Sequence, residues 1–161
     1  MPALSNLDIP ALLGRLPLFS SMLPEEIERI ARGTRELRVA KGDILFHKGD
    51  PCNGFHLLVY GQIKLAFTSS QGSEKVVDIL SQGQTFGEAV MFLRRPYPLS
   101  AQLLEDSMVL HVSEKVISDA IEQDPAFAHY WQLEPQLNPA TVGRTPQLNI
   151  AAALQMHAAG Y

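Results

Sequence analysis

Apolar positions along the first thirty-odd residues recur at helical spacing, and from Thr34 onward they alternate with polar ones. Asp8 stands where a cap belongs, ahead of a short helix that runs to Leu13 and stops at Gly14. Arg15 to Ser20 reads as a compact apolar turn. Pro24 to Arg32 predicts a second helix: proline in the first turn, acids at the positive end of the dipole, arginines at the negative end, and Ile27, Ile30 and Ala31 facing inward.

The alternating part breaks into short runs. Leu37 and Val39 alternate with Glu36 and Arg38; Ile44 to His47, Phe55 to Tyr60, Ile63 to Thr68 and Lys75 to Leu80 follow, and Leu99 to Glu105 and Met108 to Val112 come last. Gly42, Gly49, Gly61, Gly72 and Gly83 separate them at near-even intervals, which suits turns that need positive φ. Ala89 to Leu93 predicts one helical turn, and Arg95-Pro96-Tyr97-Pro98 a bend. About eight strands in roughly ninety residues is the density of a jelly roll, so the fold class is mainly β with flanking helices, a double-stranded β-helix. Ser113 then caps an amphipathic helix with Val116, Ile117, Ala120 and Ile121 on one face, and Asp124-Pro125 starts another.

This reading divides the chain into N-terminal helices (1–33), the roll (34–112), C-terminal helices (113–134) and an atypical tail (135–161). With 161 residues and 46% apolar content, one ordinary core is possible and a second of equal size is not. A net charge of −4 with no basic run longer than Arg94-Arg95 leaves no electrostatic footprint for nucleic acid. The single cysteine, Cys52, excludes a disulfide framework and a four-cysteine iron-sulfur centre, and fits a reducing, cytoplasmic setting. No apolar stretch approaches membrane-spanning length, and no signal peptide is visible.

The order of elements and five motifs carry a family resemblance: Leu16-Pro17-Leu18-Phe19, Lys41-Gly42-Asp43, Gly49-Asp50, Tyr60-Gly61-Gln62-Ile63-Lys64-Leu65 and Gly83-Gln84-Thr85-Phe86-Gly87-Glu88. From about Leu16 to Phe127 the chain resembles the sensor domain of the Crp/Fnr family of bacterial transcription regulators, whose fold is the cyclic-nucleotide-binding β-roll. The resemblance implies a ligand pocket of that type, formed by Phe86, Gly87, Glu88 and Ala89 with Arg94, Arg95, Ser100 and Ala101 as further candidates. In nucleotide-binding members Gly87 would allow close approach of the phosphate to backbone N–H groups, and Glu88 would accept from the ribose hydroxyl. The phosphate is held there by an arginine about ten residues after that glutamate. Here the position is Pro98, followed by Leu99, Ser100 and Ala101. A buried phosphodiester without a cationic partner keeps most of its desolvation cost, so tight binding of cyclic AMP is not expected.

The run Phe86 to Phe92 most resembles the branch of the family that regulates denitrification and responds to nitric oxide through haem, a branch that also lacks the phosphate arginine. Haem would need an axial ligand, for which His47, His56, His111 and His129 are candidates. Each has a structural alternative: His47 and His56 as sheet-surface residues, His111 as a satisfied core histidine.

The resemblance further implies a small-molecule effector, a homodimer in the full-length regulator, allosteric control of attached DNA-binding domains and no catalysis. The helix-turn-helix domain through which DNA would be bound is missing from this chain. Two alternatives stay open: a stand-alone cyclic-nucleotide-binding module, and a cupin-like metal-dependent enzyme, against which the lack of any His-x-His stands. In the tail all 17 acidic residues are already behind, Arg144 is the one charge, and Pro135, Pro139, Gly143 and Pro146 exclude a continuous helix. Read one nucleotide forward from about His129, codon degeneracy permits a proline-free helical string with the Leu-Ser-Arg run of the family's dimer helix. The tail is therefore expected to be a frame-shift product of a truncated regulator.

Overall fold

Every strand run that the alternation predicts is formed. A computed structural model of the chain describes residues 7–20 and 22–128, so His129 and the tail from Pro135 lie outside the described residues. In chain order the elements are α1 (Ile9–Gly14), a 3-10 turn (Pro17–Phe19), α2 (Pro24–Arg32), β1 (Thr34–Val39), β2 (Ile44–Phe46), β3 (Gly54–Tyr60), β4 (Ile63–Thr68), β5 (Glu74–Leu80), β6 (Thr85–Phe86), α3 (Glu88–Leu93), β7 (Ser100–Leu103), β8 (Ser107–Ser113) and α4 (Glu114–Gln123). The strands form two antiparallel four-stranded sheets, ordered β1-β8-β3-β6 and β2-β7-β4-β5. Strand β6 escapes prediction because two residues cannot display a period. It pairs Phe86 with His56 and Thr85 with Leu57.

The helix ends are chemically determined. Asp8 accepts from the Ala11 N–H at 3.1 Å, Glu26 from the Leu23 N–H at 2.9 Å, and Ser113 from the Lys115 N–H at 3.1 Å. All five separating glycines have positive φ. Gly61 shows why the type matters: at φ 111°, a Cβ would also run into the Ser107 side chain and Cα.

Two apolar layers result. Between the sheets lie Phe46, Leu58, Leu65, Phe86, Leu99 and Val109, and Tyr97 stacks on Phe46 with ring centroids 3.6 Å apart. Between the β1-β8-β3-β6 sheet and the helices lie Leu13, Phe19, Ile30, Phe55, Leu110 and Phe127. Strands β3 and β8 thus have both faces covered, which is why Gly54–Leu58 and Ser107–Val112 are continuously buried.

One polar row crosses this buried sheet. Arg35, His111, His56 and Phe86 stand opposite one another on β1, β8, β3 and β6. The expectation of a sheet-surface His56 is corrected: it is 5% exposed, because the second sheet covers the face it points from. Its ring lies 5.1 Å from Phe86 and 5.0 Å from the His111 ring. His111 is also buried, with Nε2 at 3.1 Å from Asn53 Oδ1, so Nε2 carries the ring proton when it donates to that oxygen. Neither Nδ1 has a hydrogen-bond partner. Burial first, then His111 and Arg35, pushes the His56 pKa from 6.5 down to about 3; burial and Arg35 lower that of His111.

Two predictions follow from the packing. Gly61→Ala should cost more than Gly72→Ala, where φ is 88° but nothing lies within 4 Å of the added methyl. The latter should lose about 1–2 kcal/mol for the backbone alone and the former clearly more, read from urea unfolding midpoints. As for pH, an unfolded chain binds a proton at His56 from its ordinary pKa of 6.5 downward, whereas the folded chain resists until about 3. Stability is therefore intact above neutrality and falls on acidification through that window, by on the order of 1 kcal/mol per pH unit. His56→Leu should flatten the loss of stability between pH 7 and pH 4; an unchanged slope would show that the imidazole is not its source.

Candidate functional site

The turn Phe86-Gly87-Glu88 is anchored from below by β6. Phe86 is fully buried in the inter-sheet core, and Gly87 caps α3 at φ 93°. The backbone angle, not space, requires glycine here, since an added Cβ would sit 3.7 Å from Phe55 Cα. Glu88 is 3% exposed, and the Thr85 hydroxyl donates to its Oε2. Sequence reasoning missed Thr85 as a partner of Glu88, because the contact runs from strand β6 to the first residue of α3 and is not a helix cap. Ala89, Val90 and Met91 are buried, so α3 is wedged between the two apolar layers.

The structure does not bring the two candidate arginines to this turn. Arg94 closes α3 in the left-handed region at φ 56°, and both Arg94 and Arg95 are exposed. The Arg94 guanidinium instead lies 3.9 Å from the Glu114 carboxylate at the start of α4. Tyr97 turns inward in their place: its N–H donates to Asp50 O at 3.0 Å, its carbonyl accepts from Gly49 N–H at 2.8 Å, and its ring covers Phe46. Pro98 and Leu99 follow it into the core. Ser100 is half-buried and accepts from the Lys48 N–H at 3.0 Å, and Ala101 is buried on β7 opposite Phe46 and Leu65. Gly87, Glu88 and Ala89 are therefore together, whereas no cation joins them from Arg94 or Arg95.

The histidines are likewise sorted by burial. His47 lies in an exposed turn, its Nδ1 3.8 Å from Asp50. His56 and His111 lie inside the roll among close-packed rings. A haem requires a flat apolar slot beside its axial ligand. The cleft next to His111 is walled by Arg32, Arg35, Asn53, Ser113, Glu114 and Lys115, with no aliphatic side chain and no aromatic one besides His111 itself, and Phe46 and Phe86 fill the space around His56. The residues described do not fit a haem. Among the described residues no three His, Cys, Asp or Glu side chains gather as a metal site.

The geometry can be set beside known proteins. Residues 36–124, more than half of the chain, match the family described as cyclic nucleotide-binding domain. The cyclic AMP receptor protein of Thermus thermophilus is 26% identical over 113 residues, which make up 70% of this chain and 52% of that protein. The anaerobic regulatory protein of Pasteurella multocida is 31% identical over 86 residues, 53% of this chain and 31% of that one. The chain thus spans about half, or less, of the length of these relatives. Among solved structures, the sensor domain of the transcriptional regulator DNR from Pseudomonas aeruginosa superposes with a TM-score of 0.73 at 25% identity, covering 77% of this chain and 83% of that one. The chain belongs to the cyclic nucleotide-binding domain family, with the sensor domains of Crp/Fnr-type regulators as its structural neighbours.

Proposed function

We propose that the chain is the effector-sensing part of a Crp/Fnr-type transcription regulator, and that its effector is not a cyclic nucleotide. The observation that carries this reading is the substitution of a buried Pro98 for the phosphate-binding cation, together with the outward course of Arg94 and Arg95. A phosphodiester beside Gly87 and Glu88 would meet a buried carboxylate with neither Arg94 nor Arg95 turned toward it, and would lose hydration without either as a charged partner.

The route for a signal is short. A ligand against the Gly87 turn displaces α3, whose buried Val90 and Met91 belong to different apolar layers. Helix α3 ends at Arg94, which faces Glu114 on α4, and α4 packs on α2. The exposed Arg94–Glu114 pair is worth little energetically, so displacement passes through the apolar contacts. In a full-length regulator α4 leads toward the dimer helices and the DNA-binding domains, and ligand binding shifts their equilibrium by its differential affinity for the two arrangements. This reading places the protein in the cytoplasm as a homodimer without catalytic activity.

Calorimetric titration with cyclic AMP and cyclic GMP is expected to give no saturable binding in the micromolar range; saturable micromolar affinity would return the chain to the stand-alone nucleotide-binding reading. Supplying the missing cation by Pro98→Arg, but not Pro98→Ala, should raise affinity for cyclic AMP by roughly 10- to 100-fold, the usual contribution of a charged hydrogen bond.

A further inference from the structure

At the corner where α2 ends, β1 begins and β8 runs into α4, an open cleft of about 520 Å³ is lined by Arg32, Arg35, Lys115 and Glu114, with Asn53 and His111. Its volume is that of a small-molecule site, roughly 300–1,000 Å³. Three cations and one carboxylate meet there, in a chain whose net charge is −4. Two of these groups are already engaged at their outer ends: Lys115 lies 3.4 Å from Asp119, and Glu114 lies 3.9 Å from Arg94. Arg32 and Arg35 have no ion-pair partner among the described residues. A solitary arginine on a surface needs no explanation. Two guanidiniums without an ion-pair partner on one concavity make an electropositive polar hollow, and the neutral His111 ring at its floor is already tied to Asn53 through Nε2.

The lining restricts what can occupy it. Without an aliphatic wall, and with the His111 imidazole as its one ring, an apolar ligand gains little there, and the two arginines repel a metal cation. A guanidinium presents paired N–H donors that match the oxygens of phosphate, and two of them with a nearby ammonium suit a dianion better than a single carboxylate. Glu114 would oppose a second anionic group but can accept from a hydroxyl.

We propose that this corner cleft binds the phosphate group of a small phosphorylated molecule, with Arg32 and Arg35 taking the phosphate oxygens and Glu114 accepting from a hydroxyl of the organic part. The site is separate from the Gly87 turn and stands or falls independently of the effector reading, since its residues belong to neither α3 nor the bend at Pro98.

The test is an NMR titration of the chain with inorganic phosphate and with glycerol 3-phosphate at fixed ionic strength. Saturable shifts at the amides of residues 33–35 and 113–115 are expected, with glycerol 3-phosphate the tighter of the two. Arg32→Gln or Arg35→Gln should weaken the affinity about tenfold or more, while Arg38→Gln, an exposed charge on the other face of β1, should leave it unchanged. All three positions are exposed, so the variants should retain the spectrum of the folded protein. Absence of saturation, or equal weakening in Arg38→Gln, overturns the proposal and shows only diffuse attraction between surface charge and anion.

Discussion

Strands β3 and β8 are covered on both faces, and the rest of the fold is arranged around that constraint. Phe55, Leu57, Leu110 and Val112 point to the helices, while Leu58 and Val109 point to the second sheet. A slip of one residue in either strand would exchange these sets and put His56 and His111 among the helices, so the register is strongly specified. Strand β6 depends on that register because its two residues pair only with β3. Through β6 the register of β3 sets the height of Gly87 and hence the insertion of α3. The position of the Phe86-Gly87-Glu88 turn is in this sense a property of the central strands rather than of the turn.

The same double burial makes polar residues in this layer costly and therefore informative. A polar group in such a place loses on the order of 1–3 kcal/mol unless it is paired. Glu88 is buried with the Thr85 hydroxyl on one oxygen, and His111 is tied to Asn53 by one nitrogen. His56 is held neutral by its surroundings, with Arg35 two strands away adding to the effect. Neutral imidazoles among phenyl rings are tolerable as flat, weakly polar fillers of the layer. What the inward row does establish is a gradient, from the exposed Arg35 at the sheet edge to the fully buried Phe86. The electropositive hollow lies at the outer end of that gradient, and the Phe86-Gly87-Glu88 turn at its inner end.

Local chemistry made much of this legible in the sequence. The second helix is bounded by Pro24 and Arg32 as its proline, acids and arginines imply, and Asp8 and Ser113 cap where hydroxyl or carboxylate precedes an apolar period. Glycines marked the turns because nothing else adopts their angles cheaply. What stayed hidden was long-range: the two-residue β6, the covering of both faces of β3 that buries His56, and the direction of side chains at the end of α3. No periodicity encodes the left-handed residue at Arg94 or the stacking of Tyr97 on Phe46 fifty positions away.

A motif that the scaffold itself requires cannot report on ligand binding. Phe86 fills the core, and Gly87 supplies an angle that the start of α3 demands whether or not a phosphate is present. Glu88 already has a use inside the protein through Thr85. All three residues would therefore be retained in a domain that had lost its nucleotide. The informative position is the one for which the fold has no structural need, the cation about ten residues on. A charged side chain buried at Pro98 would be destabilising in the absence of an anion, so its presence would have argued for a phosphate and its replacement by a rigid apolar ring argues against one. The bend Pro96-Tyr97-Pro98 carries Tyr97 onto Phe46 and leaves Arg94 and Arg95 in solvent.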